Sequence, residues 1–193
     1  MITQISQQND STRIVNVIRK NLGRGQNYAA NVYVPVKLKK WWNIQNNLSV
    51  YFSRFDDPNL EGAKFSLHKP AFSFNTTHSF SLPERFSIEF NFWLNSPRVN
   101  GVEQTLVTQY AVNAGIQKLM LEKRLKMKFS IDDIFLTNHW EGKLVYQNVN
   151  LNVVNRYLSR RAAFTLSYNF GSQQIKSARN RNTAVEDLKS RAN

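Results

Sequence analysis

The sequence predicts an all-β chain of antiparallel strands, and three observations carry that expectation. Apolar residues recur at every second position through most of the chain before residue 172, while helical spacing is nearly absent. The connections between the alternating runs are short and long in turn. The apolar faces are aromatic-rich strand after strand, and the opposite faces carry Asn, Gln, Ser, Thr and Lys.

The opening stretch ITQISQQ is a weak strand candidate. A long strand follows, with Tyr28, Ala30, Val32, Val34, Val36 and Leu38 on one face and Asn27, Ala29, Asn31, Tyr33, Pro35 and Lys37 on the other. The next run is Ile44, Leu48, Val50 and Phe52, interrupted by Asn46. Phe72, Phe74, Phe80 and Leu82 share a face with Thr76 and His78 set among them, a break in the apolar pattern. Phe86, Ile88, Phe90, Phe92 and Leu94 face away from Ser87, Glu89, Asn91 and Trp93. The segment from Leu106 through Tyr110, Val112, Ala114 and Ile116 continues the alternation, as do Leu125, Met127, Phe129 and Ile131. The last run sets Ala162, Phe164, Leu166, Tyr168 and Phe170 against Ala163, Thr165, Ser167 and Asn169.

Three connections are tight: KKWWN between Leu38 and Ile44, PER between Leu82 and Phe86, and LEKR between Met120 and Leu125. Pairing the residues that flank each turn keeps apolar faces together, because directly opposed residues share a side of the sheet. The other connections are long and polar: RKNLGRGQ, SRFDDPNLEGAKFSLHK, NSPRVNGVEQ and the stretch from about Thr137 to Ser159. Tight turns at one end and long loops at the other are the layout of a transmembrane β-barrel. The expected architecture is an antiparallel barrel segment of about eight strands, with short periplasmic turns, long extracellular loops and a polar lumen wall. Trp41, Trp42, Tyr28, Tyr51 and Phe55 fall near strand ends, where aromatic side chains sit at bilayer interfaces. A soluble β-sandwich also alternates and is the competing architecture.

Composition narrows the functions. No apolar run reaches the ~18 residues of a transmembrane helix, and MITQISQQNDSTR has no signal-peptide core. Cysteine is absent, so no disulfide or cysteine-ligated metal is expected. The net charge of +13 raises nucleic acid as a partner. The charges, however, gather at strand ends, in loops and in the tail, apart from the aromatic face, whereas nucleic-acid binding needs the two interleaved. No nucleic acid is expected, and a soluble basic nucleic-acid-binding β-protein stays a minor alternative. His68, His78 and His139 lie in different segments, and no metalloprotease, nucleophile-elbow or phosphate-loop motif occurs. No catalytic residue, metal or cofactor is expected. Asp132 and Asp133 are adjacent, so a strand throws them to opposite faces; their expected role is to end the strand and pair with Arg or Lys.

The C-terminal third carries a more specific signature. A strand ending in Asp132-Asp133-Ile134-Phe135, then Arg160-Arg161 opening a final strand that closes in Tyr168-Asn169-Phe170-Gly171, resembles the end of TonB-dependent outer-membrane receptors of the outer membrane protein beta-barrel family. The earlier strand pairs resemble the same barrel. That resemblance implies location in the bacterial outer membrane. It also implies that Phe164, Leu166, Tyr168 and Phe170 form the terminal strand read by the barrel-assembly machinery, and that Asp132, Asp133, Phe135, Arg160 and Arg161 form an outer-rim motif. A full receptor of this kind has about 22 strands and a plug. The chain therefore looks like the C-terminal third of a barrel, with strands and loops over 1–171 and a basic periplasmic tail over 172–193. Implied partners are outer-membrane lipid, the rest of the barrel and plug, TonB through the plug, and an unidentified transported ligand. The loops after Phe52, after Leu94 and after Ile134 would face that ligand, with GKLVYQNVNLNVVNRY extending the last hairpin above the membrane. A stand-alone eight-stranded outer-membrane protein with a structural or adhesion role, closed by pairing residues 1–10 with 160–170, is the runner-up.

Overall fold

The computed structural model describes residues 2–8, 12, 15–21, 23–60, 63–146 and 149–170. The basic tail expected over 172–193 lies outside them. Thirteen strands occur among the described residues: β1 (Ile2–Gln8), β2 (Val15–Asn21), β3 (Arg24–Lys39), β4 (Trp42–Leu60), β5 (Ala63–Ser81), β6 (Phe86–Asn95), β7 (Arg98–Asn100), β8 (Glu103–Thr105), β9 (Gln109–Met120), β10 (Leu125–Asp132), β11 (Trp140–Tyr146), β12 (Val149–Asn155) and β13 (Arg161–Tyr168). Seven form one antiparallel sheet in the order β13-β10-β9-β6-β5-β4-β3. The chain is all-β and antiparallel as expected, and the sheet does not close on itself.

Register converts the alternation of single strands into two continuous faces. On one, Val32, Leu48, Phe74, Leu94 and Tyr110 line up across five strands. A second row runs Trp42, Phe80, Ile88, Ile116, Phe129 and Phe164. On the other, Gln45, Thr77, Asn91 and Asn113 stand side by side. The apolar face is not covered by the chain: Val50, Phe90 and Phe129 are 49%, 45% and 44% exposed. A soluble sandwich would bury these residues against a second sheet, so a medium of matching polarity must cover them.

Asn46, Thr76 and His78, the uncharged polar residues that break this face between the turn and the Phe52 row, are hydrogen-bonded across β4 and β5. Thr76 Oγ1 donates to Asn46 Oδ1 at 2.8 Å, and Trp42 Nε1 donates to His78 Nδ1 at 3.3 Å. Cross-strand pairing places Thr76 opposite Asn46 and His78 opposite Ile44. Each polar group thus meets a partner within the sheet, which lowers the cost of facing an apolar medium.

The tight turns behave as the alternation predicts, with one shift. Met120 pairs with Leu125, and Leu82 N donates to the Phe86 carbonyl at 2.9 Å. Leu38, however, does not face Ile44: Ile44 pairs with Val36, and the register slips between Lys37 and Lys39 so that Lys39 pairs with Trp42. The turn is only Lys40 and Trp41, shorter than the polar run suggested. A shift of two residues preserves the face.

The long connections depart further from expectation. The stretch SRFDDPNLEGAKFSLHK is mostly strand, since β4 and β5 stay paired out to Asp57 with Phe65 and Leu60 with Ala63. Each is 19 residues long, about twice what a tilted strand needs to cross a bilayer. In a bilayer their upper halves would project beyond the hydrocarbon. RKNLGRGQ is likewise largely strand: β2 ends at Asn21, β3 begins at Arg24, and β2 pairs with β1 in its own sheet. Residues 2–8 thus pair with 15–21 rather than with the last strand, so the ring closure that a stand-alone barrel would need is not formed.

The segment expected to extend the last hairpin does form a hairpin, β11 with β12, but in a different sheet. It joins β8 and β7 in the order β12-β11-β8-β7, while β10 pairs directly with β13. Gly142 lies opposite Thr105 in that sheet, and Trp140 Nε1 donates to Thr105 Oγ1 at 3.3 Å. A Cβ on Gly142 would overlap the Trp140 ring. Gly142→Ala should therefore displace the indole and loosen the β8–β11 junction by about 1–3 kcal/mol, the usual cost of overpacking. Limited proteolysis of the outer sheet would read this, and an unchanged cleavage rate would refute it.

Candidate functional site

Among the described residues, burial is confined to the polar face and the segments folded over its outer end. Ser53, Phe55, Ala71, Gln109 and Ala111 are buried, and all share the face of Tyr51, Ser73 and Trp93. They lie beneath the connection from β6 to β9, whose Val99 and Val102 are also buried and whose β7 touches β4 and β5. Two backbone ties fix it in place: Phe72 N donates to Ser96 Oγ at 2.8 Å and Ser96 N to the Phe72 carbonyl at 2.9 Å. Arg98 Nη2 donates to Gln109 Oε1 at 3.0 Å. The outer connection thus folds back over the lumen side.

Next to it, Asp133 organises the second outer segment. Its φ of 45° takes the chain out of β10 into the left-handed region, which aspartate tolerates better than most residues. The side chain is 3% exposed. One carboxylate oxygen accepts from Thr137 N at 3.0 Å and Thr137 Oγ1 at 3.1 Å; the other accepts from Asn138 N at 3.0 Å and from the Ser159 hydroxyl. Burial alone would raise this carboxyl, but the hydrogen bonds from Ser159, Thr137 and Asn138 outweigh it and hold it below the usual aspartate value. One carboxylate thereby ties the start of the β10–β11 connection to the end of the β12–β13 connection.

Asp133 is reached from the lumen wall by a chain of amides. Asn91 Nδ2 donates to Thr77 Oγ1 at 3.0 Å, Asn113 Nδ2 donates to Asn91 Oδ1 at 3.1 Å, and Asp133 N donates to Asn113 Oδ1 at 2.9 Å. A cleft of about 520 Å³ opens where this chain meets the rim, lined by Trp93, Asn113, Asp132, Asn138, Tyr157 and Arg161 among others. A smaller groove of about 220 Å³ continues down the polar face past Glu89, Asn91, Lys128 and Ser130, and shares Asn113 and Asp132 with the cleft. Aromatic rings, amides and one ion pair can hold a hydrophilic solute by stacking and hydrogen bonding. The Ser159 hydroxyl is committed to Asp133, and His139 Nδ1 lies 3.0 Å from the Thr137 carbonyl, so the cleft sets no serine beside an imidazole.

The rim residues divide. Asp132 pairs with Arg161 across β10 and β13, with Arg161 Nη2 donating to Asp132 Oδ2 at 2.9 Å. Asp133 does not pair with Arg or Lys as expected, because its turn geometry delivers four hydroxyl and amide donors instead. Arg160 is exposed just before β13, and Phe135 is exposed away from the cleft. Phe164, Leu166 and Tyr168 lie on the apolar face of edge strand β13, paired with Phe129, Met127 and Leu125. Phe170 follows, with its ring 4.7 Å from that of Tyr168.

The aromatic positions also separate. Trp41 and Trp42 stack at 6.1 Å beside Phe80 at the turn end. Tyr28 lies opposite Phe52 on the apolar face near its outer end. From Trp42 to Phe52 is about 33 Å along the strand, or about 25 Å in height at a tilt of about 40°, the height of a barrel's apolar band. Tyr51 belongs to the polar face, opposite Ala29 and Ala71, and so stands outside that belt. Trp93, Thr137 and Ser159 were not legible as site residues; only the register and the return of the chain from β12 bring them together.

The model of the outer membrane protein beta-barrel family matches residues 1–168. No match emerged among curated proteins or among solved structures.

Proposed function

The chain belongs to the outer membrane protein beta-barrel family, and from that premise we propose that it forms the C-terminal part of the barrel wall of a TonB-dependent receptor that takes up a ligand across the bacterial outer membrane. The observation that carries this reading is the open seven-stranded sheet, whose outer strands β3 and β13 each pair on one side only among the described residues. In hydrocarbon every unpaired backbone group costs several kcal/mol. Neighbouring strands must therefore come from further barrel wall, which a large receptor supplies. The plug and the contact with TonB belong to those other parts. The contribution of this segment is non-enzymatic: lipid-facing wall, polar lumen lining, and the outer sheet and cleft as part of the ligand-facing surface. Phe164, Leu166, Tyr168 and Phe170, on the exposed face of the terminal strand, suit recognition by the assembly machinery.

Refolding the isolated chain into detergent and comparing boiled with unboiled samples by electrophoresis tests the reading. The expected result is no faster-migrating, protease-resistant unboiled form, because the sheet lacks its neighbours. A compact heat-modifiable species would show that these strands close by themselves and would overturn it in favour of a small stand-alone barrel.

A further inference from the structure

The turn end of the apolar face carries a feature that a lipid-facing wall does not require. Between the Phe52 row and the turns, the described residues of this face include only two cationic side chains, Lys118 and Lys39. Lys118 lies in β9 opposite Phe86 on one side and Met127 on the other. Its Nζ stands 4.2 Å from the centre of the Phe86 ring, and its side chain is 35% exposed. Lys39 reaches the same face because of the register slip after Lys37, which sets it opposite Trp42; its Nζ lies 6.0 Å from the centre of the Trp41 ring.

Between the two lysines the face is largely aromatic, interrupted by Ile88 opposite Phe80. Trp41 and Trp42 stack, both lie against Phe80, and Phe86 stands at the turn end of the next strand, β6. A lysine on a lipid-facing surface must bring its ammonium to the headgroup level, and a ring beneath it holds it there. The carboxylate nearest to Lys118 is that of Glu84, 3.9 Å away and 78% exposed, a solvated pair worth little. Both ammonium groups thus remain able to take an anion from the membrane side. Lys40, Arg85, Lys123 and Arg124 in the adjoining turns add to the positive potential.

We infer that this rim is a binding site for the phosphate groups of anionic phospholipids in the leaflet that faces the short turns, with Lys39 and Lys118 as the two phosphate ligands and Trp41, Trp42 and Phe86 as the floor. The tight turns face the periplasm in this family, so the occupant is a phospholipid and not the phosphorylated glycolipid of the outer leaflet. The aromatic floor contacts glycerol and the upper acyl chain while each ammonium meets a phosphate oxygen. The inference rests on the faces of the sheet and on family membership, and is independent of the identity of any transported ligand.

The test uses the protein in its own membrane. Outer membranes are extracted with a copolymer that retains native lipid around the protein, and the lipids that copurify are quantified by class against the bulk membrane. The expected result is enrichment of phosphatidylglycerol and cardiolipin over phosphatidylethanolamine. It should fall about fivefold for each lysine removed in Lys39→Gln and Lys118→Gln, the factor that one basic side chain is worth near an anionic surface. The charge-conserving Lys39→Arg/Lys118→Arg variant should retain the enrichment, which separates lost charge from lost folding. Lys143→Gln, in the outer sheet, should leave it unchanged. No enrichment in the native protein, enrichment that survives loss of both lysines, or enrichment only of the outer-leaflet glycolipid would each overturn the proposal.

Discussion

Asp133→Asn should open the outer rim while leaving the barrel strands paired. Asparagine tolerates the left-handed backbone at this position, so the substitution isolates the charge from backbone strain. It keeps one acceptor oxygen and turns the other into a donor that faces the amides and hydroxyls of Thr137, Asn138 and Ser159. Leaving buried donors without an acceptor and removing a charged one should cost about 2–4 kcal/mol locally. Hydrogen exchange at the amides of Thr137 and Asn138 should accelerate by two orders of magnitude or more, while that of Phe129 and Ile116 stays slow. Asp132→Asn is the contrast: its pair with Arg161 is solvent-exposed, and losing it should cost no more than about 1 kcal/mol. Equal effects of the two substitutions would remove Asp133 from the centre of the rim.

The same carboxylate makes the rim sensitive to acid in a defined direction. Its folded-state pKa is depressed, so its stabilising contribution is fully present above the unfolded aspartate value of about 3.9 and is lost as pH falls through the lower folded value. The rim of the native protein should hold to below pH 4 and then open. In Asp133→Asn that acid-dependent step should be absent.

Phe90→Arg should prevent stable membrane assembly, and Glu89→Arg, one residue away, should not. Phe90 lies midway along β6 on the apolar face, between His78 and Ala114, and is 45% exposed. A guanidinium there sits at about mid-depth in hydrocarbon and should cost about 2–4 kcal/mol. Glu89 shares the other face with Ser79 and Gly115, where the lining is polar. The amount of protein in the outer-membrane fraction reads both variants. If Phe90→Arg accumulates normally while Glu89→Arg is lost, the assignment of faces is reversed.

Most of the wall was legible because strand periodicity is a local property. Each side chain's face follows from counting by two, and a tight turn such as Leu121–Arg124 leaves one self-consistent pairing, which the structure shows at Met120 and Leu125. The same reasoning slipped by two residues at Leu38, where the polar run concealed a two-residue turn and a bulge, and with it the swing of Lys39 onto the apolar face. Counting also could not tell a long loop from a long strand: the residues after Phe52 alternate weakly and carry Asp56, Asp57 and Pro58, yet β4 and β5 continue because each supplies the other's backbone partners. Asp133 was marked by the sequence for its place at the end of a strand, but not its partners. Ser159 lies 26 residues away, and no periodicity relates two segments that meet only because β10 and β13 pair while the chain between them folds into the outer sheet.

Sequence alone thus determined the all-β class, the two faces, the tight-turn end and the family, since all of these are written in periods of two and in short local motifs. Tertiary structure alone decided which polar groups satisfy one another on the apolar face, how the β6–β9 connection covers the lumen side, and where the rim cleft forms. Those depend on register across strands distant in the chain, and register is fixed only when all the strands assemble together.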